Sequence, residues 1–175
     1  MKRMLFACAL TLAACGPKPN YSATGLVMES PTHTLTPASL PAFFSCLQEK
    51  SQTIIEAHRG GNEPGYAENA VEAFAHTLSQ EPAIMEIDVG KTKDGAFVLM
   101  HDDGVDRTTN GHGLVPDLTL AQIQTLTLKD DNGRPVPGHP PTRQVALDWA
   151  NGKTILALDI KPSVKYQEVE VPGSD

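Results

Sequence analysis

The chain has 175 residues, 40% hydrophobic and 20% charged, with a formal net charge of −7 at pH 7. That length suits one domain and that composition a globular protein. The acidic balance, the scattered basic residues and a complement of only one Trp and three Tyr exclude a nucleic-acid surface or a base-stacking platform.

The N-terminus reads as a targeting segment. Lys2 and Arg3 are basic, Met4 to Thr11 form an apolar run too short to span a bilayer, and Leu12-Ala13-Ala14-Cys15 resembles the lipobox of bacterial lipoproteins. Residues 1–14 are therefore predicted to be a lipoprotein signal peptide, with Cys15 as the lipidated first residue of the mature chain. Several acyl chains on one residue would anchor it stably, which a single chain would not. Position 16 is Gly rather than Asp, so the usual inner-membrane retention signal is missing. The expected location is the cell envelope, lipid-anchored, on the periplasmic or outer-membrane face. With Cys8 removed and Cys15 acylated, Cys46 is expected to be unpaired and to pack with Phe43, Phe44 and Leu47. Residues 15–41 form the lipidated cysteine and a tether, with Pro17, Pro19, Pro31, Pro37 and Pro41 among polar residues and no lasting hydrophobic period. His33 in it reads as a solvated loop residue.

Residues 42–175 make the folded part. Ala42 to Lys50 reads as a short helix, Thr53 to His58 as a strand and Arg59 to Ala67 as a Gly-rich loop. Glu68 to Ser79 reads as an amphipathic helix with Val71, Phe74, Ala75 and Leu78 on one face. Strands follow at Ala83–Val89 and Ala96–His101, then a polar loop to Pro116. A short helix at Thr119–Thr125 and another at Thr142–Ala150 each begin with a Thr suited to N-capping, and Gly152 suits the end of the second. Thr154 to Ile160 is a strand stopped by Pro162. Strands alternating with helices predict an α/β fold with parallel pairing.

The chemistry collects at strand ends. Side chains alternate along a strand, so Glu86 and Asp88 share one face and Ile87 and Val89 the other. Asp94-Gly95 is a strong hairpin signal. If those two residues are the whole loop, Asp88 falls opposite His101; if the two strands are parallel members of a barrel, their polar residues end at one rim instead. His58, His101 and Lys161 end strands, and Glu86, Asp88 and Asp159 lie just before such ends, where a (β/α)₈ barrel carries its functional residues. Three carboxylates converging without a cation would repel one another, so either a divalent metal joins them or Arg59 and Lys161 bridge them without one. As hard oxygen donors they suit a divalent cation. Two imidazoles, titrating near neutrality, suit acid and base roles. His76, His112 and His139 lie in loop or helix and read as structural or solvated.

The segments HRGG at His58, EN at Glu68, EIDVGKTKDGAFVLMHD from Glu86, DRTTNGHG from Asp106 and LDIK from Leu158 resemble, in order and spacing, the glycerophosphodiester phosphodiesterases. The resemblance runs from about Ile54 to Lys161. It implies a TIM-type (β/α) barrel and metal-dependent hydrolysis of glycerophosphodiesters to glycerol phosphate and an alcohol. It assigns His58 and His101 to catalysis, Arg59 and Lys161 to substrate binding, and Glu86, Asp88 and Asp159 to a divalent metal, Ca or Mg. Where this chain has Asp159 the family more often has Glu, which is one methylene longer. Ala67 stands where the family usually has Pro, so that loop should be less rigid. Glu68 is read either as a further contact to the metal shell or as the cap of the following helix, and Glu56 as partnered by Arg59 or Lys161. Two other functions compete with this one: a phosphodiesterase of the same barrel superfamily acting on phospholipid head groups, and a non-catalytic lipoprotein fragment. The second is motivated by size. A (β/α)₈ barrel takes roughly 250 residues, and only four strands are legible. The expectation is therefore the N-terminal half of a barrel, marginally stable alone and prone to self-association over its open edges. The expected partners are a small-molecule glycerophosphodiester and the membrane, with no nucleic acid.

Overall fold

The computed structural model describes residues 38–164, apart from Asn62 and Ser163. The predicted signal peptide, Cys15 and most of the tether lie outside the described residues. The chain divides into two compact units, with the boundary after Ile54. In the first, α1 (Leu40–Glu49) buries Phe43 and Leu47. It starts two residues earlier than the sequence suggests and takes in Pro41, the last residue read as tether. Proline fits a helix's first turn, where its missing N–H has no intrahelical partner anyway. Cys46 is disulfide-bonded, which corrects the expectation of an unpaired thiol.

In the second unit four strands form one sheet. β1 (Ile55–Ala57) and β4 (Leu156–Ile160) pair parallel with β2 (Ala83–Lys91), and β3 (Phe97–Leu99) pairs antiparallel with it. Three strands are thus barrel-type parallel strands, not four. The fourth is the return arm of a hairpin off the end of β2. That settles the open question of the second strand, and it also corrects the register. Thr92 N–H donates to the carbonyl of Ala96, so the loop holds Lys93, Asp94 and Gly95. The Thr92 hydroxyl bonds the Asp94 carboxylate and receives the Ala96 N–H, and Gly95 takes the left-handed position at φ +85°. One extra loop residue slides the pairing by one. Asp88 stands opposite Met100, whose N–H donates to its carbonyl at 3.1 Å, and His101 falls one residue beyond.

Two helices of this unit lie against one face of the sheet. Met85, Ile87 and Val89 of β2 are fully buried against Phe74 of α2 (Val71–Gln80) and Ala146 of α4 (Arg143–Ala150). Alternation leaves Glu86 and Asp88 on the other face, and the β2–β4 register sets Asp88 beside Asp159. A second cluster, Val98, Met100, Val105, Val115 and Ile123, packs under the excursion that carries His101. A third, Ala67, Ala70, Leu128 and Val136, fastens the loop before α2 to residues 128–136. Asp130 reinforces that seam by accepting N–H bonds from Gly65, Asn132 and Arg134.

Two predicted caps are present. Thr119 and Gln122 form a reciprocal capping box on α3 (Leu120–Ile123), and the Thr142 hydroxyl accepts from Val145 N–H on α4. Helix α2 begins at Val71 rather than Glu68, because Asn69 sits at φ +56° and interrupts the helical backbone. Glu68 is therefore not its cap. No helix among the described residues is long and apolar enough to cross a membrane.

Candidate active site

β2 supplies the centre. One oxygen from each of Glu86, Asp88 and Asp159 lies within 4.8 Å of the others. Asp88 is 1% exposed and Asp159 is exposed at the rim. A carboxylate as buried as Asp88 requires compensation. Asn69 supplies part of it twice over: its Nδ2 donates to Asp88 Oδ2 at 2.7 Å, and its Oδ1 accepts the Asp88 backbone N–H at 3.0 Å. Asn69 thus fills the place of a strand neighbour where β1 has already ended. Lys161 Nζ bonds Asp88 Oδ1 at 2.6 Å and Asp159 Oδ2 at 2.7 Å. The Lys161 bond holds the Asp159 carboxyl below its ordinary range. Burial pulls the Lys161 ammonium down, but its bonds to Asp159 and Asp88 outweigh that and keep it firmly charged.

Arg59 follows β1 in a left-handed backbone conformation, φ +55°. A non-glycine residue there is strained. Two bonds hold it: its N–H donates to Glu86 Oε2 at 2.7 Å, and its carbonyl accepts from Asn69 N–H at 2.9 Å. Among the described residues of this loop, the two non-glycine residues with positive φ therefore each grip a carboxylate of the cluster. The Arg59 guanidinium bonds Glu68 at 3.0 Å, and its buried Nε points toward Asp88 Oδ2 at 3.7 Å, too far for a hydrogen bond.

Glu68 is 5% exposed and takes a second guanidinium, Arg107, through two bonds of 2.8 Å. Burial alone would raise its pKa, but Arg107 and Arg59 together hold it below the ordinary value. Arg107 also bonds Asp102, Nε to Oδ2 at 2.6 Å and Nη2 to Oδ1 at 3.1 Å. That interaction, helped by His101, drives the Asp102 carboxyl down to about 2. Asp102 Oδ1 lies 2.7 Å from His101 Nδ1. An ionised carboxylate only accepts, so Nδ1 carries the hydrogen and Nε2 is left for other partners. His58, exposed at the end of β1, lines a cleft of about 510 Å³ with Arg59, Glu68, Arg107, Thr108, Lys129, Asp130, Asp131 and Gly133.

The cluster fits a hard divalent cation. Within this bonded network five carboxylates (Glu68, Glu86, Asp88, Asp102, Asp159) face three cations (Arg59, Arg107, Lys161), leaving two negative charges. Oxygen donors in that number and charge suit a hard divalent cation rather than a thiol- or imidazole-seeking metal, and in this structure Lys161 bridges Asp88 and Asp159 as the metal-free alternative expects. The predicted residues thus fall into one contiguous site in the second unit: His58, Arg59, Glu86, Asp88, His101, Asp159 and Lys161. Glu56 does not join it. It is exposed, and its expected partners are engaged by other carboxylates. Among the other histidines, His76 stacks on Tyr66, His112 bonds Asp106 and His139 bonds the Leu126 carbonyl, all away from the cluster. Sequence reasoning gave no role to Asn69, Asp102 or Arg107. Their only signal is position: directly after Glu68, directly after His101, and inside the DRTTNG segment.

A family model described as the glycerophosphoryl diester phosphodiesterase family matches residues 58–173. A glycerophosphodiester phosphodiesterase of Caldanaerobacter subterraneus subsp. tengcongensis is 44% identical over 115 residues, 65% of this chain and 47% of that one. Glycerophosphodiester phosphodiesterase 1 of Homo sapiens is 35% identical over 119 residues, 66% and 36% of the respective chains. Among solved structures, a glycerophosphoryl diester phosphodiesterase from Parabacteroides distasonis superposes with a TM-score of 0.64 at 47% identity, over 66% of this chain and 40% of its own. A phosphodiesterase from Oleispira antarctica, in complex with the product sn-glycerol-3-phosphate, superposes with a TM-score of 0.51 at 26% identity, over 65% and 46%. The chain spans half or less of the length of the curated relatives it matches.

Proposed function

The chain belongs to the glycerophosphoryl diester phosphodiesterase family, whose TIM-type barrel its parallel sheet shares in part, and from that premise we propose that its site hydrolyses glycerophosphodiesters to glycerol phosphate and an alcohol. The observation that carries this reading is the convergence of Glu86, Asp88 and Asp159 on two adjacent parallel strands, in one bonded network with His101 and Arg59. These carboxylates would hold Ca²⁺ or Mg²⁺, which when bound neutralises phosphate charge and polarises the phosphoryl oxygens. His58 and His101 share the proton transfers. One takes the proton of the substrate glycerol hydroxyl as that oxygen attacks phosphorus, and the other gives a proton to the departing alcohol oxygen. Water then opens the cyclic phosphate with the two roles reversed. Arg59 and Lys161 supply positive charge to the phosphate oxygens.

The lining of the cleft favours water-soluble diesters over intact phospholipids. Beside His58 its described lining consists of charged residues, Thr108 and Gly133, with no apolar side chain among the described residues to receive an acyl chain. The test is product analysis with the full chain. Glycerophosphoethanolamine should release glycerol phosphate, and a chelator should stop it. Release of head group from phospholipid vesicles, with soluble diesters left intact, would replace this reading with the phospholipid one.

Two further elements belong to this proposal. The lipobox supports lipidation of Cys15 and residence in the cell envelope, a processed form that excludes the Cys46 disulfide within this chain, because Cys8 and Cys15 are its only other cysteines; Cys15→Ser should lose labelled fatty acid, and label at wild-type level would refute it. Among the described residues β1 and β4 each pair with β2 alone, which supports self-association of this chain over those edges. Mass in solution tests it, and a strict monomer at micromolar concentration would refute it.

A further inference from the structure

Arg107 has no place in the proposed chemistry, yet it sits at the crossing of two loops. It reaches back to Glu68, on the loop that leaves β1, through two bonds of 2.8 Å. It reaches forward to Asp102, directly behind His101, through bonds of 2.6 and 3.1 Å. Asp102 Oδ1 in turn lies 2.7 Å from His101 Nδ1. Only a guanidinium can make this joint, because it needs paired donors on two edges of one plane. The far anchor is firm: Glu68 is 5% exposed and is also held by Arg59. Asp102 alone could not do the same work. It sits on a bend, about a third exposed, and without Arg107 its carboxylate would be free to turn to solvent.

We propose that Arg107 is a positioning residue which, by locking Asp102 against Nδ1, holds His101 in the Nδ1–H tautomer with Nε2 presented for proton transfer. The part concerning turnover rests on the reading of His101 as an acid–base group; the part concerning the tautomer does not. An unconstrained neutral imidazole in water favours the opposite, Nε2–H, form. The arrangement therefore changes the identity of the reactive nitrogen, and not only the position of the ring.

The experiment is long-range ¹H–¹⁵N correlation of the imidazoles in the full chain at pH about 8, where an ordinary imidazole is neutral. His101→Gln assigns the signals. His101 should be mainly Nδ1–H in the wild-type chain. In Arg107→Ala it should revert to Nε2–H, and millimolar guanidinium should restore Nδ1–H where sodium chloride at equal ionic strength does not. Arg107→Lys keeps the charge but loses the fork, and it decides the matter if the Ala variant does not fold: its Nε2–H fraction should rise above that of the wild type. Where turnover is present, kcat should fall by about 10²-fold with KM held, the scale of a misplaced acid–base group. A wild-type His101 in the Nε2–H form, or variants that keep Nδ1–H, would overturn the proposal. An inactive wild-type chain with the stated tautomer would count against the hydrolase reading alone.

Discussion

Asn69 carries the most exposed assumption, that a side chain replaces a strand neighbour beside a buried carboxylate. Its two bonds go to the carboxylate and to the backbone N–H of Asp88, which is 1% exposed. Asn69→Gly removes both bonds but keeps the left-handed backbone that φ +56° requires. Losing the bond to the charged oxygen costs about 1.5–3 kcal/mol, and leaving the N–H buried and unpaired costs about 1–3 kcal/mol more. The site opens toward a cleft, so water recovers part of this, and about 3 kcal/mol is the expected loss. Asn69→Ala should lose about 1 kcal/mol more, the penalty for a Cβ in the left-handed region. For a folded unit of this size each kcal/mol moves Tm by about 4 °C, so Asn69→Gly should melt at least about 10 °C lower. The assay is urea and thermal unfolding of the full chain, followed by circular dichroism. If Asn69→Gly unfolds within about 0.5 kcal/mol of the wild type, the range of a neutral surface change, the two bonds do not hold Asp88 and the reasoning is wrong.

Other perturbations probe different parts of the site. His58→Ala and His101→Ala should each lower kcat by about 10²–10⁴-fold, measured as glycerol phosphate release, and a variant that keeps most of its turnover would remove that residue from the chemistry. Asp102 falls from an ordinary 3.8 to about 2 on folding, so its contribution is complete above pH 3.8 and is lost as pH falls from there through about 2. Asp102→Asn should flatten stability against pH across that window, and an unchanged slope would argue against the Arg107 pair. Gly60 sits at φ +78°, and a Cβ there would collide with the Phe74 ring. Gly60→Ala should therefore lose more than about 2 kcal/mol through overpacking and backbone strain, checked by urea midpoint.

Much of this site is legible in the sequence because it follows local rules. Period-two alternation puts Glu86 and Asp88 on one face of β2 whatever its neighbours do, and Thr119 and Thr142 cap their helices through contacts three residues away. The hairpin was visible too, but not its register. Reading Asp94-Gly95 as the whole loop misses that the Thr92 hydroxyl and the Asp94 carboxylate organise a three-residue turn, and one residue is enough to move His101 from beside Asp88 to beyond it. The supporting contacts were not legible for a different reason. Asn69 meets Asp88 across 19 residues of chain and Arg107 meets Glu68 across 39, and no local pattern encodes either meeting. Glu68 shows the same effect from the other side. A glutamate before an apolar run reads as a cap, while the fold buries it between two arginines.

The central claim is that Glu86, Asp88 and Asp159 form a cation site, and calorimetric titration of the full chain with Ca²⁺ and with Mg²⁺ tests it without requiring turnover. The account predicts one site per chain, lost in Glu86→Gln and in Asp88→Asn and retained in Asp159→Glu, whose longer carboxylate still reaches the cluster. No binding of either ion at millimolar concentration, or binding that survives Glu86→Gln and Asp88→Asn alike, would contradict it.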